Sequence, residues 1–352
     1  MNSLESTAQL QARPRDIPIF HLTMRILFSR LSIPFIRLNP VSISRKYSSI
    51  MTQSNIPTAV PLPSSEQFYL NNSRGEQYLI QISWPLHWKD RKLDTDRNDV
   101  PIIYIVDGNA LFLTATEALW RRSAMPQYRG GGIIVAIGYP LAGTGKVYHR
   151  VRRNFDLTIP TPGKPVDGHG GADILLDFIE RTVKPAVRER FPDVSVSREA
   201  LYGHSYGGLF ALHALFTRPT MFDAYIASSP SIWWGERCIL DEARSFIQKI
   251  KESGADKTPT LMMYVGGLEQ NPRRWNDESD ESWEGRKRDA AIFNMRVNVL
   301  ELMDLTRGCT RLHAVGFSEY AGEDHGTVMA CSMSRGLATF TEDWPVPREE
   351  SV

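Results

Sequence analysis

Gly203-His204-Ser205-Tyr206-Gly207 fits G-x-S-x-G, a serine between two glycines that allow a sharp backbone turn. A serine hydroxyl is a weak nucleophile. It attacks an acyl carbon when a base takes its proton and an acid orients that base. On a strand-to-helix turn, Ser205 would present its hydroxyl near a helix N-terminus, where developing negative charge is favoured. The partners then follow along the chain as serine, acid, histidine. Three histidines lie beyond Ser205: His213, His313 and His325. His213 falls inside an apolar helical run and His313 inside a strand-like one, which suits packing. His325 stands in a loop-like stretch, residues 320–326, where a base is readily presented. The pattern therefore assigns the base to His325.

The acid should follow the apolar run 261–265. Glu269 is the first carboxylate there, with Asp277, Asp280 and Asp289 on longer loop paths and a Ser–His dyad as the remaining option. An oxyanion hole needs two backbone N–H donors. Tyr206, directly after the nucleophile, supplies one. The run 102–106 ends in Asp107-Gly108-Asn109, a tight turn in which the Asn109 amide is the natural second donor.

These residues need a scaffold that brings distant loops to one edge. Continuous apolar runs at 101–106, 132–137, 224–227 and 261–265 read as strands buried on both faces, and 312–317 as a last strand. Residues 68–70 and 78–82 read as a strand pair around the turn 72–75. Helical periodicity covers 173–190, kinked at Pro185, then 206–216, 290–305 and 326–340. Strands alternating with helices predict an α/β fold, a mostly parallel sheet covered on both faces. Residues 199–202 and 206–212 supply the strand and helix that the Ser205 turn requires. Two long stretches, 141–171 and 269–288, read as irregular loops framing a pocket mouth.

Composition narrows the chemistry. Of 352 residues, 41 are basic and 40 acidic, so no electrostatic footprint for nucleic acid or an anionic membrane exists. Cys238, Cys309 and Cys331 are odd in number and widely spaced, which disfavours a disulfide framework or a zinc site and suits a reducing compartment. No motif calls for a cofactor or a metal. The Arg- and Ser-rich first 50 residues read either as an organellar transit peptide or as translation upstream of a start at Met51. The expected organisation is an extension at 1–57, a catalytic domain at 58–345 and a tail at 346–352, in the cytoplasm or, with a transit peptide, the mitochondrion.

The chain resembles the α/β-hydrolase serine esterases of the siderophore-esterase group, fungal triacetylfusarinine-type and bacterial enterobactin-type. The matching pieces are IIYIVDGNALF (102–112), VAIGYP (135–140), RRNFDLT (152–158), LYGHSYGGLFAL (201–212), SPSIWW (229–234), YVGGLEQ (264–270) and AGEDHGTV (321–328). The resemblance implies Ser205 as nucleophile, His325 as base and the 107–109 segment at the oxyanion hole. It also implies that Trp233, Trp234, Arg152 and Arg153 lie against a small-molecule ester, a ferric hydroxamate siderophore such as triacetylfusarinine C, with Lys146 also within reach. A general carboxylesterase or thioesterase, or a non-catalytic binder on the same scaffold, are the other readings. The cysteine that S-formylglutathione hydrolases carry beside the oxyanion loop is replaced here by Asn109-Ala110.

Overall fold

The apolar runs become the centre of one eight-stranded sheet. In the computed structural model, residues 59–88, 99–125, 131–161, 163–249 and 258–346 are described. The amino-terminal extension and most of the tail lie outside them. The strands are β1 (Ser65–Asn71), β2 (Gln77–Ser83), β3 (Val100–Val106), β4 (Ile133–Gly138), β5 (Val196–His204), β6 (Ala224–Ser228), β7 (Thr260–Gly266) and β8 (Val315–Tyr320). Their spatial order is β1-β2-β4-β3-β5-β6-β7-β8. The β1–β2 and β2–β4 pairs are antiparallel and every later pair is parallel. A compact unit spans Pro61–Val352.

The helices are α1 (Gly108–Ser123), α2 (Arg150–Leu157), α3 (Ala172–Phe178), α4 (Lys184–Arg190), α5 (Tyr206–Thr217), α6 (Trp234–Arg237), α7 (Ile239–Gln248), α8 (Gly267–Gln270), α9 (Asp280–Phe293), α10 (Met295–Thr306) and α11 (Val328–Glu342). On one face of the sheet, Leu111, Phe112 and Leu119 of α1 meet Met333, Leu337 and Phe340 of α11. On the other, the largely apolar α5 packs with residues of α3, α7 and α10. Burial on both faces is why β3, β4, β6 and β7 read as unbroken apolar runs.

The expected strands and their pairing are present, with Phe68 opposite Ile80 in the first hairpin. Several boundaries differ, each for a local reason. The last strand starts at Val315, because turns through Cys309 and Leu312 occupy the segment before it. Asn294 adopts a left-handed conformation (φ 45°) and splits the expected 290–305 helix into α9 and α10. Between α3 and α4 the chain makes a π turn at Ile179–Val183. Pro185 lies two residues on, and a widened turn accommodates a residue with no N–H. The 141–171 stretch contains α2, and 269–288 contains the start of α9, so neither is wholly irregular. The turn after β3 runs straight into a 16-residue helix that begins at Gly108 and has no counterpart among the expected helices.

The order of the strands decides where chemistry can occur. β4 and β5 lie on either side of β3, so the connections after β3 and β5 leave toward opposite faces. Such a reversal opens a crevice at the carboxyl ends of the strands. Asp107 and Ser205 stand at those two ends.

Candidate active site

Ser205 has φ 59° and ψ −119°, a conformation that non-glycine residues rarely adopt. Gly203 and Gly207 make it possible. A Cβ at Gly203 would lie 2.0 Å from the Gly207 carbonyl oxygen, so any side chain there would push strand and helix apart. Backbone bonds fix the turn: the Ser205 N–H donates to the Ser228 carbonyl (3.0 Å), and its own carbonyl accepts from Leu209 (3.0 Å) and Ser231 (3.1 Å). The Ser205 hydroxyl lies 3.4 Å from that of Ser231. Tyr206 is the first residue of α5, and its N–H is among the helix's unpaired first-turn donors.

Glu269 and His325 meet at the same end of the sheet. His325 Nδ1 lies 2.6 Å from Glu269 Oε2. The carboxylate is buried, its side chain 1% exposed, whereas the imidazole is 47% exposed. Two further donors hold Glu269 Oε1: the Ser229 hydroxyl at 2.5 Å and the Gly266 N–H at 2.7 Å. Through the Gly266 bond, Glu269, the third residue of α8, reaches back to the N–H of the N-cap residue. A buried carboxylate without such partners would be destabilising by several kcal/mol. Among the described residues, Asp277, Asp280 and Asp289 are exposed and make no bond to His325; Asp280 pairs with Arg274 instead.

The ring of His204 lies 4.5 Å from that of His325, centroid to centroid. His204 is buried, and its Nδ1 is 3.1 Å from the Ser228 hydroxyl. That hydroxyl continues through Ser332 to the phenol of Tyr202. Burial, with His325 and Arg153 nearby, pushes His204 well below the ordinary histidine pKa. It is therefore a neutral wall beside His325 and cannot compete as a charged acid.

The Asn109 N–H, expected from the sequence as a second donor, belongs to the turn after β3. Asp107 is left-handed (φ 56°, ψ 40°), and Asn109 is the second residue of α1, so its N–H is also a first-turn donor. The Asn109 side chain ties this turn to the end of β4, donating to the Tyr139 carbonyl (2.9 Å) and accepting from the Tyr139 N–H (2.7 Å). A Cβ at Gly138 would lie 2.4 Å from Asn109 Oδ1, so the closeness of this fit requires glycine.

The four residues expected against substrate are tied into the rim. Arg152 stacks on Tyr78 (4.2 Å) and Tyr139 (5.0 Å), donates to the Gln77 carbonyl and faces Asp156 at 3.9 Å. Burial pushes the Asp156 carboxyl up to about 6. Arg153 grips Asp107 through two guanidinium nitrogens. Trp234 is buried, donates to the Ile159 carbonyl (3.0 Å) and meets Tyr206 edge-on. Trp233 is half-buried, stacked on Phe293 (4.6 Å) and 5.8 Å from the ring of Tyr206. Lys146 is exposed. The sequence names the 107–109 and 229–234 segments but gives Asp107, Ser229, Ser231 and His204 no individual roles. The run Ser228-Ser229-Pro230-Ser231, small and polar at the end of a buried strand, was the available signal.

Residues 72–300 match the family described as putative esterase. The siderophore triacetylfusarinine C esterase of Aspergillus fumigatus is 63% identical over 289 residues, 82% of this chain and 97% of its own length. The ferri-bacillibactin esterase BesA of Bacillus subtilis is 34% identical over 67% of this chain and 77% of its own. Among solved structures, the siderophore hydrolase EstB from Aspergillus nidulans is 81% identical, with a TM-score of 0.81 over 84% of this chain and all of that one. Siderophore hydrolase EstA from the same organism is 40% identical, with a TM-score of 0.72 over 81% of this chain and 98% of that one. An α/β-hydrolase sheet with a serine elbow at its switch point, in a chain this similar to those enzymes, belongs to the siderophore-esterase family.

Proposed function

We propose that this enzyme hydrolyses the ester bonds of a ferric hydroxamate siderophore of the triacetylfusarinine C type, through an acyl-enzyme on Ser205. The observation that carries the mechanism is the buried Glu269 bonded to His325 beside a strained serine turn. The substrate class follows from the 63% identity to the Aspergillus fumigatus esterase. As an ester enters the crevice, the Ser205 hydroxyl exchanges Ser231 for His325 Nε2. Catalytic contacts of this kind often tighten only in the substrate complex.

The Ser205 oxygen then bonds to the ester carbonyl carbon while His325 takes its proton. Glu269 stabilises the imidazolium and fixes which nitrogen carries hydrogen. The carbonyl oxygen becomes an oxyanion facing the Asn109 and Tyr206 N–H groups. Collapse expels the alcohol, which takes the proton from His325. A water deprotonated by His325 next attacks the acyl carbon, releasing the carboxylic acid and restoring Ser205. Cleavage of the siderophore backbone weakens its grip on iron. Three free cysteines favour a reducing compartment, and we place the reaction in the cytoplasm.

The test compares wild type with Ser205→Ala on ferric triacetylfusarinine C, ferric enterobactin and p-nitrophenyl acetate, alongside fluorophosphonate labelling. We expect label on Ser205, a loss of at least about 10⁴-fold in kcat for the variant, and the highest kcat/KM on the hydroxamate. Equal kcat/KM on all three would instead make it a general esterase. No label on Ser205 would sink the mechanism.

A further inference from the structure

Asp107 occupies the N-cap position of α1, where an aspartate side chain ordinarily accepts from the second or third N–H of the helix. Here it makes no such bond. The second N–H of α1 belongs to Asn109, the oxyanion donor. The third, from Ala110, is already bonded to the Asp107 carbonyl at 3.0 Å. A free Asp107 carboxylate would therefore have Asn109 as its natural partner, and would fill the oxyanion hole with negative charge.

Arg153 takes that carboxylate instead. Its Nε lies 3.0 Å from Asp107 Oδ1 and its terminal nitrogen 2.8 Å from Oδ2, a two-pronged pair that engages both carboxylate oxygens. Both partners are largely buried, with side chains 16% and 4% exposed. The same guanidinium lies over the rings of Tyr148 (5.4 Å) and Tyr206 (5.5 Å). One side chain thus contacts Tyr206, which carries one donor, and Asp107, two residues before the Asn109 that carries the other. Burial opposes the charge on Arg153, but the bonds to Asp107 outweigh it and hold the guanidinium above its ordinary pKa.

We propose that Arg153 is a positioning residue that keeps the oxyanion hole open by holding the Asp107 carboxylate off the Asn109 amide. The proposal rests on Asn109 and Tyr206 as the donors in the reaction above. It separates Arg153 from its neighbour Arg152, whose guanidinium packs on Tyr78 and Tyr139. It also separates it from a substrate contact, because the effect should appear with an ester that carries no siderophore.

The test is kcat and KM on p-nitrophenyl acetate and on ferric triacetylfusarinine C for Arg153→Met, Asp107→Gly and the double variant. Glycine suits the left-handed position 107. Arg153→Met should lose about 100-fold in kcat on both esters, the cost of one oxyanion donor, with KM within about threefold. Removing the competing carboxylate should then help: the double variant should recover about tenfold over Arg153→Met alone. A loss confined to KM for the siderophore would overturn the proposal, as would a double variant no better than Arg153→Met. Should wild type hydrolyse neither ester, the functional reading fails, and the clamp is judged by nuclear magnetic resonance. Arg153→Met must then shift the Asn109 amide signal, Asp107→Gly must reverse that shift, and an unmoved signal overturns the clamp. Melting temperatures of all three variants separate misfolding from a closed hole.

Discussion

Among the described residues, His213–Glu242 and His325–Glu269 form two bonded pairs, and only the second lies beside the Ser205 turn. At the crevice, His325 Nδ1 meets Glu269 at 2.6 Å; on the outer flank of α5, His213 Nδ1 meets Glu242 at 2.8 Å. The difference lies in the second ring nitrogen and in exposure. His213 is 4% exposed, and its Nε2 faces Asp173 at 3.5 Å, an ion pair longer than a good hydrogen bond. Burial disfavours its charge, but the ion pair with Asp173 and the bond to Glu242 more than compensate and raise its pKa to about 9. It is a held cation joining α3, α5 and α7. His325 has one carboxylate, nearly half its surface open, and a serine turn beside it. A base must be able to take up and release a proton, so a second carboxylate would spoil it.

Exchanging each glutamate for glutamine breaks the comparison most directly. Glu269→Gln should cost kcat about 10³- to 10⁴-fold, because an amide favours the wrong imidazole tautomer. Glu242→Gln should leave kcat within about threefold and lower the melting temperature by a few degrees. If both variants kept full kcat, Glu269 would not be the third member of the triad. A smaller effect sharpens the crevice pair itself. Ser229→Ala removes the hydroxyl from Glu269 Oε1 and leaves the Gly266 N–H there. One bond to a charged group predicts a fall of about tenfold in kcat with KM little changed, measured on p-nitrophenyl acetate. An unchanged kcat would show that Gly266 alone suffices to hold the carboxylate.

The sequence made the crevice pair legible and left the flank pair hidden, for physical reasons. Ser205 is recognisable because its strained turn demands glycines at fixed offsets. His325 is recognisable because the order of elements leaves it in the loop after the last strand. Glu269 follows from being the first carboxylate past β7. His213 looks like packing in an apolar helix, because its partners come from α3 and α7, distant along the chain. The same limit applies to Asp107, Ser229 and His204, whose roles arise from contacts between strand ends. Helix α1 is poorly legible because it opens on Gly108 and Asn109, both weak helix formers. Arg152 and Arg153 read as one basic pair, yet the helix turns them to different neighbours, tyrosine rings for one and a carboxylate for the other.

The flank pair can be separated from the crevice by pH. A histidine has a pKa near 6.5 in an unfolded chain, and His213 is raised to about 9 in the native state. Between those values the folded protein holds a proton that the unfolded chain has lost. Stability must therefore fall as pH rises through that window. The contribution is complete below about pH 6.5 and gone above about pH 9. Asp173 moves the other way, lowered chiefly by its bond to His213, so its share of the stability is lost only in acid. Melting temperature should accordingly decline from pH 7 to pH 9.5, and His213→Gln should flatten that slope while kcat at pH 7 stays within about threefold. A slope that His213→Gln leaves intact would mean that other groups govern the decline, and the two pairs would then differ in position alone.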